Sequence, residues 1–459
     1  MGAAACAAPN VLFGGVVGPA AGPTGCIKPV TASAFGGPVE HLGVVPVGQT
    51  LSVNVPSGTA SMTFISQAVD AGQFVFFRGS AIPNSVIPSP ISGPEGIIFS
   101  DTDAGSNPPI FELSDIFFGG GAVSTGSLTV PNTTGMLERI AADHQLPAGT
   151  WKFAVSDYQF ECTQGIGCDD AGSQTGFYDV TVLLKPGPPK GSGTLDLSIY
   201  LITSAISPPG AGGTLSDPNL NRVLKQIETL YGAAGICLGK VTFYQVPPWA
   251  LARYGTVSAD NAEDPCSDLH QMFTLAKSEN ALSLFFVDAV TTGADGGMPR
   301  FEVLGIDGTI PGPATVGGTV QSGAVVTASF VNQSQKCTAT HFDPVMCGPD
   351  AVAYVAAHEG GHFLGLYHTT EASGEAFDPL LNTPVCQCEL CAPTTEVNNC
   401  EGTNPRSAHP YFMHGEDCAT RSAYCGGGDN LMFWLLNDKS AGTVSSEQAQ
   451  VMAGSPAVQ

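Results

Sequence analysis

The chain has 459 residues, room for two or three domains, and its 43% hydrophobic share with 24 Phe excludes a chain disordered throughout. Glycine (57) and proline (35) show no three-residue period, which excludes collagen, and charged residues at 12% are too few for the outer faces of helix bundles. Sixteen Lys and Arg against 40 Asp and Glu give a net charge of −24, which repels phosphate backbones and leaves no nucleic acid among the expected partners.

Fourteen cysteines, several closely spaced (Cys162/Cys168, Cys337/Cys347, Cys386/Cys388/Cys391/Cys400, Cys418/Cys425), point to an oxidising compartment and disulfides. Their pairing does not follow from spacing. No apolar run reaches about 18 residues, so no membrane span is expected. The start, Met1 to Cys6, lacks the basic and apolar regions of a signal peptide, so a secreted chain would be a mature form with an added Met. Cys6 reads as a disulfide cysteine in preference to a lipoprotein anchor. Cys6 and Cys26 are also the candidates for a latency cysteine on a metal, which the even count disfavours.

Residues 1–185 read as a β-rich, sandwich-like domain. Leu51-Ser-Val-Asn-Val55 alternates, Phe74-Val-Phe-Phe77 is a buried run, and Trp151–Tyr158 alternates after the turn signal Pro147-Ala-Gly149. Phe177–Leu184 follows a Gly-rich turn. Strands at this spacing without helical periods suggest a β-sandwich. Cys162 and Cys168 bracket a loop that a disulfide can close. His41 and His144 stand alone and read as surface or structural residues.

Residues 186–193 form a Pro/Gly linker with nothing to pack. Few contacts are expected across it, so residues 191–459 should fold and act alone.

Residues 194–459 change style. Leu195–Ile202 is a strand. Asp217 can cap a helix with Pro218 at its first position, carrying Leu220, Val223, Leu224, Ile227, Leu230 and Tyr231 at helical spacing, with Gly235 as its stop. Val241–Val246 and Ala281–Val287 are strands around a short helix begun by Ser267. A Gly/Pro-rich loop, 305–318, leads to the strand Ala324–Ala328. Strands alternating with helices indicate an α/β layer with a mixed sheet. The expected fold class is therefore α+β: an all-β sandwich followed by an α/β catalytic domain.

The chemistry sits at His358-Glu359-Gly-Gly-His362-Phe-Leu-Gly365-Leu-Tyr-His368, behind the helix start Pro349-Asp350. His358 and His362, four apart on a helix, share one face and can bind one Zn²⁺. Glu359 projects beside them, within reach of a water on the metal. Gly365 can take a left-handed conformation, end the helix and return His368 to the metal. Five fixed residues at this spacing make chance coincidence rare. Gly360-Gly361 inside a helix costs roughly 1 kcal/mol per Gly against Ala, a cost that metal binding would outweigh.

His358-Glu-x-x-His362-x-x-Gly365-x-x-His368 is identified as the metzincin zinc signature. The tracts 366–370, 378–384, 429–434 and 446–452 resemble the pappalysin family and its secreted bacterial relatives, over about residues 194–455. The resemblance implies a zinc endopeptidase with an active-site helix and a methionine turn, Asp429-Asn-Leu-Met432, whose Met432 floors the metal; Met413 is the rival. Trp434 stands where the family usually carries Tyr, and indole offers no metal-binding oxygen. Asn382-Thr-Pro384 replaces the family's Asp-Thr-Pro, so the calcium that relatives bind nearby is left without support.

The implied activity is hydrolysis of peptide bonds in protein or peptide substrates by metal-activated water, with Glu359 as general base. Ala324, Val325, Val326, Thr327 and Ala328 are expected to pair with extended substrate as an added strand. Cys386-x-Cys388-x-x-Cys391 reads as disulfides before a second zinc, and His409 and His414 as surface residues. Two alternatives stand beside this reading: an inactive metzincin-like binding or adhesion protein, and a β module that binds a cell surface or glycan with the protease as accessory.

Overall fold

The computed structural model describes residues 10–16, 35–69, 81–99, 125–140, 145–163, 167–173, 177–187, 193–210, 215–259, 267–277, 279–291, 303–339, 341–369, 378–384, 427–436 and 440–459. Phe74–Phe77, His144, Cys6, Cys26, Met413, His409, His414 and the cysteines from Cys386 to Cys425 lie outside the described residues.

The first part of the chain is β1 (Asn10–Val16), β2 (Val39–Pro46), β3 (Thr50–Val55), β4 (Thr59–Ala68), β5 (Ala81–Ser92), β6 (Ile98–Phe99), β7 (Thr125–Val130), α1 (Thr134–Arg139), β8 (Gly149–Thr163), β9 (Gly167–Ser173) and β10 (Phe177–Pro186). Two antiparallel sheets form from it, one in the order β2-β10-β4-β7 and one in the order β3-β8-β5-β6 with β9 beside β8. Leu51, Val53 and Val55 of β3 alternate inward with Trp151, Phe153 and Val155 of β8. They meet Met62, Phe64, Leu128, Val180 and Val182 of the opposite sheet in one core. Phe64 and Phe153 pack edge to face across it, ring centres 4.6 Å apart. Cys162 and Cys168 are directly opposed in the β8/β9 register.

The second part is β11 (Gly193–Ile202), α2 (Pro218–Ala233), β12 (Ile236–Gln245), α3 (Pro248–Tyr254), β13 (Thr256–Ser258), α4 (Asp268–Phe273), β14 (Leu282–Val287), β15 (Ala289–Thr291), β16 (Gly305–Asp307), β17 (Ala324–Thr327), α5 (Gly348–Phe363) and α6 (Ser446–Gly454). Its sheet runs β1-β12-β11-β14-β17-β16, parallel throughout except for the antiparallel edge strand β16. The Asp217 carboxylate accepts from the amides of Asn219 and Leu220 and starts α2, whose apolar face is buried. Helices α2 and α5 cover one sheet face through Leu197, Ile199, Val241 and Leu284; α3 and α4 cover the other through Tyr200, Tyr244 and Phe285. A parallel sheet covered on both faces explains why β14 and β17 are buried at every position and carry mostly apolar residues.

Three features depart from the sequence expectation. Strand β1, placed in the N-terminal domain by sequence, pairs in parallel with β12 of the six-stranded sheet. Strand β16 lies inside the stretch read as a Gly/Pro loop. Ala324–Thr327 is not an open edge: β14 occupies one side and β16 the other, so an extended substrate has no free backbone there to pair with, and Ala328 donates its amide to Val287 O.

Candidate metal centre

Helix α5 carries His358, Glu359 and His362, and its residues are buried throughout. Its start is tied down by Asp350, fully buried, which takes the Arg222 guanidinium on both carboxylate oxygens at 2.6 and 2.7 Å. Arg222 also donates to Thr338 O and His341 O, in the loop closed by the Cys337–Cys347 disulfide. Cys237 is disulfide-bonded as well.

The helix ends as its sequence requires. Gly365 has φ +104°, the amide of Leu366 reaches back to Gly361 O, and the chain turns so that His368 faces the helix. The nitrogens of His358, His362 and His368 then lie within 4.8 Å of one another. His358 Nε2 and His368 Nε2 are 3.0 Å apart.

The donor set fits a zinc ion. His358 Nδ1 is bound to Leu431 O at 2.6 Å and His362 Nδ1 to Leu366 O at 2.7 Å. A carbonyl accepts only from N–H, so both neutral rings present an Nε2 lone pair to the common centre. Burial and the neighbouring imidazoles push His358 down to about 3 and His362 well below the ordinary histidine value. Neutral imidazoles are what a metal requires.

Glu359 is 7% exposed. Burial, followed by the negative charge of Asp307, pushes its carboxyl well above the usual carboxylate range, and the Asp307 backbone amide donates to it. Asp307, Glu359 and His362 form a second group whose ligand atoms lie within 4.8 Å. Sequence reasoning missed Asp307, because a three-residue strand in a Gly-rich stretch has no periodicity to detect.

The two helical glycines have a packing reason. A side chain at Gly360 would enter the Tyr231 ring and hydroxyl of α2, and a Cβ on Gly361 would stand 2.5 Å from Met432 Sδ. Met432, fully buried, lies against α5 on a turn that Asn430 holds: its Oδ1 accepts from the Met432 amide at 2.8 Å. The same turn offers Leu431 O to His358, and Tyr354 of α5 donates its hydroxyl to Asn430 O at 2.9 Å.

No family model matches the chain. It is 25% identical over 234 residues, 49% of its length and 71% of the relative's, to a protein of Arthroderma otae named extracellular metalloprotease. A protein of the same name from Arthroderma benhamiae matches at 25% over 233 residues, 49% of this chain and 70% of that one. Among solved structures, archaemetzincin of Methanopyrus kandleri matches 40% of this chain and 81% of its own, at 17% identity and a TM-score of 0.24, too low to equate the folds. The names of the relatives support a metallopeptidase and do not reach the pappalysin subgroup.

Proposed function

We propose that the chain is a secreted, zinc-dependent endopeptidase of the metzincin type, with the pappalysin-like features noted in its sequence. The observation that carries the reading is three buried or half-buried imidazoles, two of them locked by backbone carbonyls with Nε2 turned to one point, beside the buried Glu359. Secretion is supported by the Cys337–Cys347 disulfide and by relatives named extracellular.

His358, His362 and His368 would hold the ion. Zinc supplies Lewis acidity when bound, acidifying water and polarising the scissile carbonyl. Glu359 takes the proton of the attacking water and delivers it to the leaving amine. Among the described residues β16 is the edge of its sheet, where an extended peptide can join. Leu304 O and the Gly308 amide are bonded to Thr327 N and Gly323 O, so by alternation Gly305 directs its backbone groups away from β17, while the Asp307 amide donates to Glu359. Substrate pairing thus moves from residues 324–328 to β16.

Glu359→Gln tests the reading. Zinc content should stay near one per chain while peptide turnover falls at least about a hundredfold, within the range of general base catalysis. His368→Ala should lose zinc and turnover together. Unchanged turnover in Glu359→Gln, or full zinc in His368→Ala, would sink the assignment.

A further inference from the structure

In the β2-β10-β4-β7 sheet the outer face of β4 and β7, with Leu183 of β10, is buried, while β2 stays exposed. One face of a sandwich sheet normally meets water. Here Met62, Phe64, Leu128, Val130, Val180 and Val182 fill the sandwich core, and the residues that alternate with them to the other side are buried too: Ser61, Thr63, Ile65, Ser127, Thr129 and Leu183. What covers them is the second half of the chain. Ile65 and Leu183 pack on Val316. Ser61 Oγ donates to Gly454 O at 2.5 Å, and Lys185 Nζ donates to Ala453 O and, at 2.9 Å, to Ser455 O. Thr134 Oγ1 donates to Glu447 Oε2 at 2.6 Å and accepts from the Leu381 amide at 2.8 Å.

The bonds of Ser61 and Lys185 and that of Thr134 with Glu447 converge on α6 and its C-cap Ser455. The last carbonyls of a helix have no partner within it and carry the negative end of its dipole. In α6 they are met by an ammonium and a hydroxyl from another sheet. The other end of α6 reaches the metal centre. Gln448, fully buried, binds Asn430 by two amide–amide hydrogen bonds of 2.9 and 3.2 Å. Asn430 holds the Met432 turn, and Leu431 O in that turn holds His358.

We propose that the β-sandwich is a working part of the peptidase, with Lys185, Ser61 and Thr134 as positioning residues that clamp α6 and through it order the turn at Asn430–Met432. Its functional consequence rests on the peptidase reading; the ordering of the turn does not. The sandwich face at Ser61–Lys185 therefore serves the chain's own C-terminal helix, and the linker at 186–193 joins two docked parts.

The test uses the full chain. Lys185→Met and Thr134→Val are compared with Lys185→Arg, which keeps a charged donor, and with the exposed sandwich variant His41→Ala. Backbone hydrogen exchange is read at α6 and at Leu431 and Met432, alongside zinc content and steady-state cleavage of a peptide. Lys185→Met and Thr134→Val should speed exchange at both places and lower kcat by about 2- to 30-fold at unchanged KM, the range carried by couplings of this kind. Lys185→Arg should restore most of it, and His41→Ala should do nothing. Faster exchange in α6 with an unchanged Met432 turn would overturn the proposal, as would full kcat in Lys185→Met. If the wild-type chain cleaves no peptide, the peptidase reading fails and exchange at Met432 still decides the clamp. As a second measure, a protease site placed at 188–192 is cut after folding. The two pieces should co-elute; separation under native conditions would overturn the docking.

Discussion

Gly305 on β16 and Glu359 on α5 touch so closely that a Cβ on the glycine would stand 2.6 Å from both Cγ and Oε1 of the glutamate. The strand proposed to receive substrate is thus pressed against the proposed base by the lack of a side chain. Gly305→Ala should push the carboxylate aside while leaving the three histidines where they are. The expected result is full zinc content with turnover reduced about tenfold or more, since misplacing a catalytic group by an ångström costs up to about a hundredfold. Wild-type turnover would mean that Glu359 finds an equivalent position.

Gly361 separates two opposing effects. Alanine at a helix interior gains about 1 kcal/mol over glycine. Its methyl would also meet Met432 Sδ at 2.5 Å and Cε at 3.3 Å, in a fully buried site. Overpacking of this kind costs about 1–3 kcal/mol. The clash should win, and Gly361→Ala should unfold at lower urea than wild type. A higher midpoint would show that Met432 can retreat at no cost.

The Arg222–Asp350 pair is the strongest electrostatic tie among the described residues around α5: bidentate, with Asp350 at 0% and Arg222 at 19% side-chain exposure. Removing one partner of a buried pair leaves the other charge stranded, at about 3–5 kcal/mol. Arg222→Ala should lose about that much in urea unfolding. Because both changes delete the same tie, Arg222→Ala with Asp350→Ala should lose less than the two single losses combined. Strict additivity would mean that the pair contributes nothing of its own.

Asp378 supplies a pH dependence. Burial, with a smaller push from Glu447, raises its carboxyl to about 7, although Leu380 N and Thr383 donate to it. A folded pKa above the ordinary value means that folding takes up a proton between about pH 4 and 7. The stability linked to this group is full below pH 4 and is lost as pH rises through 7. Asp378→Asn keeps an oxygen for the Leu380 amide and removes the charge. Its Tm should exceed that of wild type at pH 8 and match it near pH 4. A lower Tm at pH 8 would show that the ionised carboxylate is used.

What was legible in the sequence is what local rules govern. Asp217-Pro218 and apolar residues at helical spacing define α2, and the alternation of Leu51, Val53 and Val55 defines β3. Spacing alone brought His358 and His362 together, and Gly365 marked the turn that returns His368, because ligand geometry, helix pitch and a positive φ are properties of a few consecutive residues.

The tertiary structure decided what depends on distant partners. An apolar run such as Ala324–Thr327 reads alike whether substrate or another strand lies beside it, and only the sheet order shows β14 and β16 on its two sides. Asn10–Val16 carries no address for β12, some 230 residues away in register, because backbone hydrogen bonds are the same for every partner. Ser61, Thr63, Ser127 and Thr129 alternate with apolar residues as a solvated sheet face would, yet they are buried. Small hydroxyl side chains satisfy water and a docked helix end equally well, so the choice between them was made by the packing of one half of the chain on the other.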